Sequence, residues 1–119
     1  MKRLARVLIV EDEFLIGLER AATLELNGFL AMGPVTSVDE ALQFLQRERP
    51  DAVILDLNLR GRHATPVAKA LRELGLPFVI ASAYSNMDLP QDDALRGVVN
   101  IGKPTNSATL IPILHRITA

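Results

Sequence analysis

Ala52-Val53-Ile54-Leu55 runs without a polar residue into Asp56, and a glycine, Gly61, follows shortly after. An unbroken, β-branched apolar run of this kind suits a strand buried on both faces, as inside a parallel sheet. Parallel strands need crossover connections, and these are usually helices. Asp56 then falls at the carboxyl end of its strand, where open α/β sheets hold their ligands. Taken alone, one acid after one strand reads as a turn cap. Two further strand ends in the chain change that.

Val7-Leu8-Ile9-Val10 reads as another buried strand, running into Glu11-Asp12-Glu13. Those acids suit the positive end of a following helix, expected over 14–26 and closed by Asn27-Gly28. A weaker strand over 29–35 is interrupted by Gly33-Pro34. Ser37-Val38-Asp39-Glu40 has the form of a capping box, opening a helix that runs to about Arg49, before Pro50. After the central strand, 52–57, comes a polar loop, 58–64. Thr65-Pro66 predicts a capped helix with proline at its first position, closed by Gly75. Pro77-Phe78-Val79-Ile80-Ala81-Ser82 is an apolar strand ending in a hydroxyl. The stretch 83–97 is least regular, with a short helix expected within 90–96. A last strand over 98–101 leads into Gly102-Lys103-Pro104. Pro112 costs about 3 kcal/mol in a helix interior, so the final helix should start near Thr109 or bend.

This βα alternation, repeated five times, predicts a doubly wound α/β fold with right-handed crossovers. The expected form is flavodoxin-like, (βα)5, with a five-stranded parallel sheet in the order 2-1-3-4-5. Across 119 residues it makes one domain, 1–119. A net charge of −1 offers no basic footprint for nucleic acid. The absence of cysteine removes disulfide, zinc-thiolate and thiol-nucleophile chemistry. Arg6 interrupts the N-terminal apolar stretch well short of the ~7–15 residues of a signal core. No run approaches the roughly 18 residues of a membrane span. The expectation is a soluble, cytoplasmic protein without membrane contact.

The predicted strand order gathers the strand ends. The first supplies Glu11 and Asp12, the third Asp56, the fourth Ser82 and the fifth Lys103. Two carboxylates about 4 Å apart repel by roughly 4 kcal/mol at an effective dielectric near 20. A cluster of three therefore calls for cations. Lys103 is one, and a hard divalent ion with oxygen ligands, Mg2+, is the natural second. A carboxylate nucleophile beside Mg2+ is the equipment for forming an aspartyl phosphate.

Val7-Leu8-Ile9-Val10-Glu11-Asp12-Glu13, Asp56-Leu57-Asn58, Ala81-Ser82-Ala83 and Lys103-Pro104 together resemble the response-regulator receiver domain of bacterial two-component systems. Each motif is weak alone, but all four stand in order over essentially the whole chain. Leu76-Pro77-Phe78-Val79-Ile80-Ala81-Ser82-Ala83-Tyr84, with Pro66 and Gly33-Pro34, resembles the "FAT GUY" subgroup of stand-alone receivers. The resemblance implies Asp56 as phosphoacceptor. Asp12 and Asp56 would hold Mg2+, with Glu11 helping through water and the backbone carbonyl of Asn58 as a further ligand. Ser82 and Lys103 would contact the phosphoryl group, and a cis Lys103-Pro104 peptide would aim the lysine.

The resemblance further implies a histidine kinase or histidine phosphotransfer protein as donor, and a downstream protein as target. Ser82 stands where the subgroup carries Thr, and Ala83 where it carries Gly. The aromatic switch expected three residues before the lysine is replaced by Asn100, which leaves Tyr84 as the nearest stand-in. Phe14, Leu15, Ile16 and Leu18 spread around more of a helix than one core-facing stripe requires, at about 100° per residue. Phe14, Leu15 and Leu18, with Pro104, are thus the expected docking surface for the donor, beside the pocket. Two rivals are a receiver that binds without being phosphorylated and a phosphohydrolase of the haloacid dehalogenase type. The latter wants a second acid where Asn58 stands, and the intact Asp12, Asp56 and Lys103 weigh against the former. The reading is a receiver signalling by protein contact or phosphorelay, not an enzyme turning over an external substrate.

Overall fold

The computed structural model describes residues 3–82, 93–103 and 105–119. Arg6–Val10 (β1), Phe14–Leu26 (α1), Leu30–Val35 (β2), Val38–Arg47 (α2) and Ala52–Asp56 (β3) come first. A short hairpin, Asn58–Leu59 (β4) and Arg62–His63 (β5), precedes Thr65–Leu74 (α3) and Phe78–Ala81 (β6). A 3-10 turn at Asp93–Leu95 and the helix Ser107–Ile117 (α4) follow.

Side-chain alternation explains why the inner strands are wholly apolar. Leu8 and Val10 of β1, with Val53 and Leu55 of β3, pack with Val38, Ala41 and Leu45 of α2 and Val67, Ala68 and Leu71 of α3. The alternate residues Val7, Ile9, Ala52 and Ile54 pack with Leu24 of α1 and Leu110 and Leu114 of α4. Both faces of the sheet are therefore covered, and every inner-strand position meets a helix. By the same parity, Glu11 continues the Val7–Ile9 row and Asp56 the Ala52–Ile54 row, toward α1 and α4.

The parallel sheet has the order β2-β1-β3-β6. At the fifth place Ile80 forms one parallel bridge with Asn100, fixed by Ile80 N–H to Val99 O at 2.9 Å and Ile101 N–H to Ile80 O at 2.8 Å. The order 2-1-3-4-5 is thus kept, while the strand expected over 98–101 shrinks to that bridge. The Asn100 side chain accounts for the shortening. Its Oδ1 accepts from the Ser82 amide at 3.2 Å, the donor the next rung would have used, and from the Gly102 amide at 3.0 Å.

Gly33-Pro34 does not break the second strand. It forms a bulge, with Leu8 opposite Met32 but Val10 opposite Val35, and its peptide bond is cis. Gly33 has φ +88, and a Cβ there would meet Val35 N at 2.8 Å and Ile9 O at 2.9 Å. Only glycine fits. The bulge also delivers Val35 O to the Glu11 amide at 3.0 Å, which seats Glu11 at the end of β1.

Local signals were offset elsewhere. The polar loop expected over 58–64 contains the β4–β5 hairpin, because Arg60 and Gly61 both adopt positive φ, +53 and +79, and so match the strand twist. The third helix is capped at Ala64, with Thr65 first and Pro66 second, one residue from expectation and without a side-chain cap. In the capping box Ser37 Oγ accepts from Glu40 N–H at 3.1 Å, while Glu40 Oε1 accepts from Thr36 N–H rather than from Ser37. The last helix begins at Ser107, not near Thr109. Asn106 Oδ1 caps it by accepting from Ala108 N–H at 2.8 Å, and buried Leu110 and Leu114 anchor it around Pro112. Pro112 lies inside the helix and forfeits the bond its amide would have made to Ala108.

Helix α1 rides close on the bulge. A Cβ at Gly17 would lie 2.5 Å from Pro34 Cβ and 2.6 Å from its Cγ, in a ring that cannot rotate away. Glycine to alanine inside a helix ordinarily gains up to ~1 kcal/mol. Gly17→Ala is instead expected to cost about 1–3 kcal/mol through overpacking. Urea unfolding checks the sign, since a midpoint at or above the native one would mean that α1 has room to move.

Candidate functional site

The carboxyl ends of β1 and β3 bring Glu11, Asp12 and Asp56 together, with one oxygen of each within 4.8 Å of the others. Glu11 is wholly buried, Asp56 is 4% exposed and Ser82, at the end of β6, is 5% exposed. Lys103 reaches in from the loop after the fifth position. Its Nζ lies 2.8 Å from Asp56 Oδ2, and 3.3 and 3.5 Å from Glu11 Oε1 and Oε2. Backbone amides hold the carboxylates in place. Glu13 N–H donates to Glu11 Oε2 at 3.1 Å, Arg60 N–H to Asp12 Oδ2 at 3.0 Å, and Asn58 N–H to Asp56 Oδ1 at 3.2 Å. The hairpin thus serves the pocket, because its turn delivers the Arg60 amide to Asp12.

Burial dominates the electrostatics. It pushes the Glu11 carboxyl up to about 7, reinforced by Asp12 and Asp56 and opposed by the Glu13 amide. Burial also works against the Asp12 carboxylate. The Arg60 amide, a hydrogen bond with Glu11 and the Lys103 charge outweigh it, so Asp12 sits below the ordinary value. Lys103 is likewise disfavoured by burial, but its hydrogen bond and charge contact with Asp56 raise it above the ordinary lysine value.

The donor set fits a hard divalent cation. Three carboxylates converge with oxygen atoms close enough to share one ion, with no soft ligand among them. The Asn58 backbone is held against Asp56 by its amide, which donates to Asp56 Oδ1.

Sequence reasoning missed the cation beneath this cluster. Arg20 of α1 is 6% exposed, and its Nη1 lies 3.2 Å from Glu11 Oε1. Its Nη2 donates to Thr105 Oγ1 at 3.0 Å, and Thr105 Oγ1 donates to Gly102 O at 3.2 Å. The signal was present in helix spacing, since Gly17, Arg20 and Leu24 form the buried row of α1. Asn100, named as a switch candidate for its position, ties the end of β6 to the lysine loop through Ser82 and Gly102.

On the opposite face of α1, Phe14, Leu15 and Leu18 are 57, 74 and 43% exposed. Tyr84, Pro104 and the Lys103-Pro104 peptide lie outside the described residues. Among the described residues no helix is long and apolar enough to cross a membrane.

A doubly wound sheet with an acidic cluster and a lysine at its carboxyl edge defines a class. Residues 7–115 match the response regulator receiver domain, and the chain belongs to that family. Its fold resembles a CheY-like receiver domain from Methylobacillus flagellatus, at 34% identity and TM-score 0.82, covering 97% of this chain and 99% of the other. It is similar also to SdrG from Sphingomonas melonis Fr1, at 35% identity and TM-score 0.81 with all of both chains covered. Among curated proteins it is 31% identical over 112 residues to the transcriptional regulatory protein PdtaR of Mycobacterium tuberculosis, covering 92% of this chain and 55% of that one. The chain therefore spans about half the length of that relative. Sporulation initiation phosphotransferase F of Bacillus subtilis is 24% identical over 102 residues, covering 83% of this chain and 82% of the other.

Proposed function

We propose that residues 1–119 form one receiver unit that accepts a phosphoryl group on Asp56 from a phosphohistidine of a kinase or phosphotransfer protein. The observation that carries this reading is the Lys103 Nζ to Asp56 Oδ2 contact of 2.8 Å inside the acidic cluster. An Asp56 oxygen forms the new bond to phosphorus as the phosphorus–nitrogen bond to the donor imidazole breaks. The imidazole leaves and takes up a proton. Phosphoryl transfer needs little covalent assistance beyond this, so positioning and charge neutralisation dominate.

Lys103 orients the acceptor carboxylate and then neutralises phosphoryl oxygens, and Ser82 supplies a polar contact at the end of β6. Glu11, Asp12, Asp56 and the Asn58 carbonyl would hold Mg2+, which when bound neutralises the charge spread over the phosphoryl oxygens. Output is by protein contact or onward transfer, in keeping with the phosphotransferase name of one relative. The partners are proteins, not nucleic acid or lipid.

Incubation with acetyl phosphate and Mg2+ tests the reading by intact mass. The native chain should gain one phosphoryl group and Asp56→Asn none, whereas a native chain that stays unlabelled would refute acceptance at Asp56.

The donor is expected to dock on the exposed face of α1. Leu15→Asp and Leu18→Asp should slow transfer from the cognate protein donor about tenfold or more, the loss typical of one interface anchor. Labelling by acetyl phosphate should stay at the native level. Equal loss with both donors would place these leucines in the fold rather than in the interface.

A further inference from the structure

Arg20 is a charged side chain on the buried row of α1, where an apolar residue would normally stand. Burying a guanidinium is costly unless it is compensated, and its compensation comes from Glu11, itself wholly buried. The pair is held by charge more than by direction. At 3.2 Å neither Arg20 Nη1 nor Glu11 Oε1 makes an aligned hydrogen bond, and among the described residues Arg20 Nε has no partner. The aligned donor, Nη2, is spent on Thr105, which in turn grips Gly102 beside Lys103.

Lys103 contacts the same Glu11 oxygen, Oε1, at 3.3 Å, yet makes its shortest contact with Asp56, at 2.8 Å. One ammonium thus faces two buried acids. A lysine is a compact point charge on a flexible stem and follows the stronger field. Among the described residues Arg20 is the only other cation in ion-pair contact with Glu11.

We propose that Arg20 is a positioning residue, balancing the Glu11 charge so that Lys103 stays with Asp56 and remains available to a phosphoryl group there. This rests on Asp56 being the acceptor. A guanidinium stays charged at any working pH, so Arg20 offers its charge whenever Glu11 is ionised. The tether through Thr105 to Gly102 also fixes the loop from which Lys103 reaches. When Lys103 turns to phosphoryl oxygens, Glu11 keeps its own cation.

Two measurements separate this from a space-filling role. The first is unfolding in metal-free buffer for Arg20→Met, Lys103→Met and the double variant. Because both cations serve Glu11, the double variant should lose more than the sum of the single losses. Adding Glu11→Gln to Arg20→Met should restore what Arg20→Met lost, even if Arg20→Met alone does not fold. Additive losses, or no recovery with Glu11→Gln, would overturn the proposal whatever happens to phosphorylation.

The second is the initial rate of labelling by acetyl phosphate at saturating Mg2+. Arg20→Met should slow it about tenfold, and Arg20→Lys should recover most of the rate. A native rate in Arg20→Met would overturn the positioning role while leaving Asp56 as acceptor. A native chain that takes no label would instead fail the acceptor reading, with the unfolding measurements still deciding whether Arg20 balances Glu11.

Discussion

Mg2+ at a hundredfold excess over its Kd is expected to raise the stability of this chain by about 2.7 kcal/mol. For a domain of this size that corresponds to a rise in Tm on the order of 10 °C. The physical source is the convergence of Glu11, Asp12 and Asp56 within 4.8 Å, three acids served by two cations. Folding brings Asp56 to the adjacent Glu11 and Asp12, whereas the unfolded chain keeps it away, so an ion that bridges all three favours the native state. Asp12→Ala removes the most exposed of the three and should make the melting curves with and without Mg2+ coincide. Ca2+ should stabilise less, because the pocket offers few oxygens and Ca2+ wants six to eight. A native melt unmoved by saturating Mg2+ would end the metal assignment, since linkage leaves no route for tight binding without stabilisation.

Lys103→Met should cost about 3 kcal/mol in metal-free buffer. Breaking a buried ion pair on one side leaves the other charge uncompensated, and here it leaves two acids, 0 and 6% exposed at their side chains. The figure sits at the low end of the usual range because the Lys103 side chain is 23% exposed and Arg20 still serves Glu11. Mg2+ should then stabilise the variant more than the native chain, since the ion restores the missing positive charge. Labelling by acetyl phosphate should still fall about a hundredfold or more, the usual loss when one donor to a developing oxyanion is removed. Denaturant unfolding with and without Mg2+, beside a labelling time course, reads all three effects. Lys103→Met as stable as the native chain, with an ordinary Mg2+ response, would mean that the lysine is a solvated loop residue and its contact with Asp56 incidental.

Much of this site was legible in the sequence because its residues sit where regular structure stops. Val7–Val10 and Ala52–Leu55 announce buried strands by composition alone, and the acids that follow them cannot belong to the same apolar layer. Helix α1 was legible to the residue, from Phe14 to Leu26, with Asn27-Gly28 closing it. What escaped was fixed by contacts between distant segments. Arg20 reads as a surface charge until Glu11, on another element, is placed against it. The β4–β5 hairpin hides because its two strands have only two residues each and its turn uses Arg60, not a second glycine, at positive φ. Pro112 misled in the other direction. Its cost in a helix interior pointed to a late start, yet the helix begins at Ser107 with Pro112 inside it, capped by Asn106 and anchored by buried Leu110 and Leu114.

The register of the sheet carries a consequence for how the chain first reaches this structure. β1 pairs on one side with β2 and on the other with β3, Val7 opposite both Ala31 and Ala52, and β3 pairs in turn with Phe78–Ala81. No two neighbouring strands of this sheet are joined by a tight turn. Each pairing waits for a loop of a helix or more to close, and such non-local contacts slow folding. During synthesis β1 and β2 can associate early, but the second edge of β1 stays open until residue 52 and beyond have emerged. Its Val7–Val10 run, uncharged and rich in β-branched residues, is then an unprotected edge of the kind that templates association between chains. Fragments ending before β3 should therefore precipitate rather than linger as folded intermediates, and the full chain should gain solubility as soon as Ala52–Asp56 is included.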